Sequence, residues 1–96
     1  MSNQEIQNII IELLKDFNPE YIGIFGSYSR NENNSDSDLD LLVKFKNSIS
    51  LLQLIRIENE LSDKTGIKID LVTEGAIKNE VIKKNIQNDL NVIYKA

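Results

Sequence analysis

Apolar residues recur at three- and four-residue steps in Ile6, Ile9, Ile10, Leu13, Leu14 and Phe17, the spacing of one helix face. Ser2 and Glu5 precede this run as a Ser-x-x-Glu capping box, and Asn18-Pro19 follows it. The pattern predicts a helix over about residues 3–16. Residues 21–25, Tyr-Ile-Gly-Ile-Phe, are a short apolar run with strand composition. Gly26-Ser27 breaks it, and the polar segment 28–37 has room for one helical turn. Segment 38–45 opens with acidic and apolar residues in alternation, which puts Asp38 and Asp40 on one face of a second strand. Ser50 and Gln53 suggest a cap for a second helix, outlined by Leu51, Leu54, Ile55, Glu58 and Leu61 and ended near Gly66. A third strand is predicted over 67–73, with Ile69 and Leu71 on one side and Lys68, Asp70 and Val72 on the other. Ile77, Val81, Ile82 and Ile86 mark the apolar positions of a third helix over about 76–89. Residues 90–94 read either as a last strand or as the end of that helix.

This order predicts an α/β (α+β) fold: a small mixed β-sheet with helices packed on one face, the Ile and Leu stripes forming its core. At 96 residues the chain is read as one domain spanning 1–96, without repeat or linker. It has no apolar run long enough to span a membrane and no signal-peptide pattern, so a cytoplasmic location is expected.

Composition narrows the chemistry. Without cysteine there are no disulfides and no thiolate metal sites, and without histidine the commonest general base and zinc ligand are gone. A catalytic proton acceptor must be a carboxylate, lysine, tyrosine or water, and a bound metal must be a hard cation held by oxygen. The net charge of −4 disfavours a nucleic-acid backbone binder. The acids are concentrated, with Glu32, Asp36, Asp38 and Asp40 close together.

Three features converge on one chemistry. Gly26-Ser27 follows a strand directly: glycine admits close backbone approach, a helical turn offers N–H groups to an anion, and the Ser27 hydroxyl adds a donor. This suits the phosphates of a triphosphate. Asp38 and Asp40 lie about 7 Å apart at their α-carbons, and two such charges repel unless a cation neutralises them. Asp70, expected half-buried in mid-strand, becomes reasonable if its strand lies beside the Asp38–Asp40 strand and completes a metal site. Two Mg²⁺ held by Asp38, Asp40 and Asp70 would then support phosphoryl transfer. One would lower the pKa of the attacking hydroxyl, the other would hold the triphosphate, and Asp70 could also accept the proton.

Gly26-Ser27, ten residues, then Asp38-Leu39-Asp40 resembles the G-S-x10-D-x-D signature of the DNA polymerase β-like nucleotidyltransferase superfamily, with Asp70 where that family carries its third carboxylate. The wider run from Gly26 to Val43 is similar to the minimal nucleotidyltransferases of prokaryotes, with Arg30, Glu32, Asp36 and Ser37 matching common family residues. Asn31 stands where glycine is frequent, a small departure because Asn tolerates the left-handed conformation. Ser35 stands where proline is frequent, which would only loosen the loop.

The resemblance implies Asp38, Asp40 and Asp70 as catalytic and metal residues, with Gly26, Ser27 and Arg30 at the nucleotide. Arg30 has an equal reading as a surface ion pair with Glu32 or Asp36; Asp36 reads as a turn former, Tyr28 as core, and Lys83-Lys84 as a solvated helix face. The resemblance also implies ATP as substrate and a HEPN-family toxin, encoded by the adjacent gene, as partner. The chain would be the antitoxin, placing AMP on a toxin tyrosine. A small-molecule acceptor such as an aminoglycoside, or a non-catalytic antitoxin acting by occlusion, remain as alternatives. Nucleic acid and membrane are not expected partners.

Overall fold

The computed structural model describes residues 2–34 and 36–96. Helix α1 (Asn3–Leu14) starts at Ser2, whose hydroxyl accepts from the Glu5 N–H while the Glu5 carboxylate accepts from the Ser2 N–H, so the predicted capping box forms. A 3₁₀ turn (Lys15–Phe17) and Asn18, at φ 54°, lead into strand β1 (Pro19–Phe25). Strand β2 (Leu39–Phe45) follows the polar loop, then helix α2 (Leu51–Thr65), strand β3 (Ile69–Thr73), a 3₁₀ turn (Glu74–Ala76), helix α3 (Glu80–Asp89) and strand β4 (Asn91–Lys95). Segment 90–94, open between two readings, is a strand. The third helix starts later than predicted, because Asn79 caps it by accepting from the Val81 and Ile82 N–H groups.

The sheet order is β3-β2-β1-β4. β1 runs antiparallel to β2 and β4, while β2 and β3 are parallel, so the sheet is mixed as expected. Strand alternation divides it cleanly. Ile22 and Ile24 of β1, Leu39, Leu41 and Val43 of β2, and Ile69 of β3 are buried against Ile6, Ile10 and Leu14 of α1 and Ile57 and Leu61 of α2. Each such aliphatic side chain contributes roughly 1.5–3 kcal/mol on burial. The other face carries Gly23, Asp40, Leu42, Lys44, Asp70 and Val72. Leu90, which ends α3, rests on Gly23 so tightly that no Cβ would fit there.

Two expected core stripes are corrected. In α2, Leu51 and Ile55 are exposed, and the inward row is Leu54, Ile57, Leu61 and Thr65. Apolar residues crowd the first seven positions of that helix on all sides, so periodicity alone did not choose the row. In α3 no residue is buried, and Val81 and Ile82 are exposed at 69% and 53%. Ile77 lies in the loop before that helix. The expected helix end at Gly66 is observed, with Gly66 at φ 71°.

Edge strand β3 is closed by its helix. The Ile69 N–H donates to Ser62 Oγ at 3.0 Å and the Leu71 N–H to Glu58 Oε2 at 2.8 Å. These bonds satisfy backbone donors that would otherwise invite another strand. No helix among the described residues is long and apolar enough to cross a membrane.

Candidate active site

β1 ends at Phe25, whose partner across the ladder is Asp40. The chain must leave the strand at once, and Gly26 does so at φ 78°, a conformation costly to residues with a side chain. A Cβ at Gly26 would also collide with Asp40 Oδ2. Gly26 is therefore required twice, by its own backbone and by the carboxylate beside it. From here the chain makes the predicted turn. The Arg30 N–H returns to the Gly26 carbonyl at 3.2 Å and the Glu32 N–H to the Ser27 carbonyl at 2.9 Å. The N–H groups of Ser27, Tyr28 and Ser29 lead into this turn. Asn31 takes φ 58°, the left-handed conformation that its side chain tolerates.

The parallel pairing of β2 with β3 places Asp40 opposite Asp70. Their carboxylates lie side by side, and the Asp40 carboxyl is held above the usual carboxylate range. Partial burial is the main cause, followed by the charges of Asp70 and Asp38. Asp70, expected half-buried, is exposed, and Asp40 is the half-buried member. The reason is position: β3 is the sheet edge, while β2 lies inside the sheet.

Asp38 precedes β2 and stands 3.9 Å from Lys68 Nζ. The three predicted acids thus gather at one end of the β2–β3 pair, with two in contact and the third leaning toward Lys68. Among the described residues no three acidic side chains are drawn together tightly enough to hold a metal ion as they stand. The donors nevertheless fit a hard divalent cation. They are all oxygen, the Asp40–Asp70 pair carries repulsion that a cation relieves, and the missing side chain of Gly26 leaves room beside Asp40.

Arg30 is exposed and pairs with Glu32 at 3.1 Å and with Asp89 at the end of α3. The Glu32 pairing was anticipated; Asp89 was not, because it lies 59 residues away in the chain. The same end of α3 is tied to the loop by the Ser29 hydroxyl, which donates to the Asp89 carbonyl. Tyr28 packs against the core, as read. Asp36 lies in a turn, where its N–H donates to Asn34 Oδ1 at 2.9 Å. The departure at Ser35 lies outside the described residues. Glu58, conspicuous as an acid on an apolar stripe, was the visible trace of the β3 edge closure.

A strand, a glycine turn and in-register carboxylates on a mixed sheet define a phosphate-transfer scaffold. The chain belongs to the nucleotidyltransferase family: the model of the nucleotidyltransferase domain matches residues 6–93. It is thus an enzyme of that class, as the resemblance through Gly26-Ser27 and Asp38-Leu39-Asp40 implied.

A relative in Methanocaldococcus jannaschii, provisionally named a protein adenylyltransferase, is 46% identical over 90 residues, 90% of this chain and 92% of the relative. The protein adenylyltransferase MntA of Thermococcus cleftensis is 39% identical over 84 residues, 83% of this chain and 85% of the relative. Among solved structures, a toxin–antitoxin with AMP-PNP superposes with a TM-score of 0.84 at 23% identity, covering 94% of this chain and 73% of that one. A tri-AMPylated HEPN toxin of Shewanella oneidensis in complex with its MNT antitoxin gives 0.80 at 22% identity, covering 99% and 74%. At these identities the structures show a shared fold.

Proposed function

We propose that this chain is a Mg²⁺-dependent protein adenylyltransferase that acts as the antitoxin of a HEPN toxin, moving AMP from ATP to a tyrosine hydroxyl of that partner. The observation that carries this reading is the in-register contact of Asp40 and Asp70 beside Gly26. Two further supports are that adenylyltransferase relatives align over nearly the whole chain and that structural neighbours are toxin–antitoxin complexes.

In this reading Gly26 and Ser27 receive the triphosphate, whose negative charge suits the N–H groups entering the turn. Asp38, Asp40 and Asp70 would hold Mg²⁺, which would supply Lewis-acid activation of the hydroxyl and offset the charge of pyrophosphate. The tyrosine oxygen bonds to the α-phosphorus, the bond from that phosphorus to the bridging oxygen breaks, and pyrophosphate departs. Asp70, the exposed carboxylate, would take the phenolic proton. Arg30 reaches a phosphate by exchanging its Glu32 or Asp89 carboxylate for it.

The test is the intact mass of the HEPN protein after incubation with this chain, ATP and Mg²⁺, beside an Asp38→Asn/Asp40→Asn control. Added AMP units that vanish in the control are expected. A stable complex without added mass would replace transfer by occlusion, and the absence of both would shift the acceptor to a small molecule.

A further inference from the structure

At the opposite ends of β2 and β3 lies a groove of about 570 Å³, lined in part by Lys44, Lys78, Lys83, Glu74, Ile49 and Leu54. Three lysines against one glutamate make it positive in a chain whose net charge is −4. Lys44 is paired with Glu20 at 3.0 Å, whereas Lys78 and Lys83 make no ion pair among the described residues. Glu74 is already engaged, accepting the Tyr21 hydroxyl at 2.5 Å. Helix α2 opens beside the groove with no acid in its first turn, so its positive end is not offset there.

Exposed apolar side chains are gathered on the two helices that contribute Leu54 and Lys83 to the groove. Among the described residues, five of the six large exposed apolar side chains lie on the flanking helices: Leu51, Leu52 and Ile55 in the first turns of α2, and Val81 and Ile82 in the first turn of α3. Such a concentration of exposed apolar surface marks a protein contact more than a small-solute pocket. Lys44 and Asp40 are four residues apart on one strand. They therefore share a face and stand roughly 13 Å from each other.

We infer that this groove is a docking site for an acidic segment of the protein acceptor, with apolar side chains seated on Ile49 and Leu54 and carboxylates on Lys78 and Lys83. The inference rests on the reading of the acceptor as a protein. An acceptor held here spans the distance to the carboxylates along the same sheet face. Opposite charge guides it to the groove and sets its register, while chemistry stays at the other end of the strands.

The experiment uses the HEPN protein as acceptor and the variant Lys78→Glu/Lys83→Glu, with Lys15→Glu/Lys64→Glu as a control of equal charge change on exposed residues outside the groove. Affinity for the fluorescently labelled HEPN protein is measured without nucleotide, and transfer is measured with Mg-ATP. The groove variant is expected to raise Kd and the acceptor KM about tenfold or more, leave kcat within about twofold, and flatten the salt dependence of Kd. The control pair should do none of these. Equal effects from both pairs, or from neither, overturn the docking site. A groove variant that raises the KM for ATP and leaves acceptor affinity intact also overturns it, in favour of a small-anion site. If the wild-type chain binds the HEPN protein but transfers nothing, the adenylyltransferase reading fails while the affinity measurement still decides the docking site. If it does not bind, the docking inference fails with its partner.

Discussion

The two faces of β2 obey different rules. On one, Leu39, Leu41 and Val43 have almost no exposure and lock into α1 and α2. On the other, Leu42 is buried but its neighbours Asp40 and Lys44 reach solvent and carry charge. The first face satisfies every rule of packing. The second keeps a half-buried carboxylate beside two others, a local conflict that folding alone would not favour. The proposed site sits where consistency is broken, and the opposite face supplies the rigidity that tolerates it.

The sharpest test of this division is Asp40→Asn. Transfer should fall roughly a thousandfold or more, read as AMP added per minute, because the proposed metal-binding carboxylate is lost while the shape is kept. Normal transfer would end the assignment of this face. Its mirror on the packed face is Leu41→Ala, which should lower unfolding stability by about 2–5 kcal/mol in urea titration. The activity of the molecules that remain folded should change little.

Gly26→Ala joins the two effects. The left-handed backbone costs about 1–2 kcal/mol with a side chain, and the new Cβ displaces the Asp40 carboxylate. The denaturation midpoint and the transfer rate should both fall, the rate by about an order of magnitude, equivalent to roughly 1.4 kcal/mol of barrier. Loss of stability with full activity would show that Gly26 serves the turn and not the site.

A smaller effect should appear with pH in metal-free buffer containing chelator. Folding raises the Asp40 pKa, so its contribution is fully present below the unfolded value and is lost as pH rises through the folded one. The decline starts near the ordinary value of 3.8 and extends to the raised value. Melting temperatures should show this decline in the wild type and not in Asp40→Asn. Identical profiles would show that the burial and charge crowding of Asp40 have no thermodynamic weight.

Much of the site was legible because its parts are local. Gly26-Ser27 had to be a break after a strand, and Asp38 and Asp40 had to be near neighbours whatever the fold. Asn31 needed only its own tolerance for positive φ, which the structure uses. The capping box of Ser2 and Glu5 is likewise complete within one turn. Less legible were the pairings that join distant segments, such as Arg30 with Asp89 and Tyr21 with Glu74, for which periodicity offers no signal.

The sequence by itself determined the element order through the third helix, the two-residue spacing of the acids and the absence of any histidine or cysteine chemistry. These follow from backbone geometry and side-chain inventory, which act over a few residues. Tertiary structure decided which row of α2 faces inward, that Asp40 and not Asp70 is the half-buried acid, and that the two meet. Those outcomes depend on strand order: Asp70 lies on the edge strand and Asp40 on an inner one, and the parallel register alone brings residues thirty positions apart into contact.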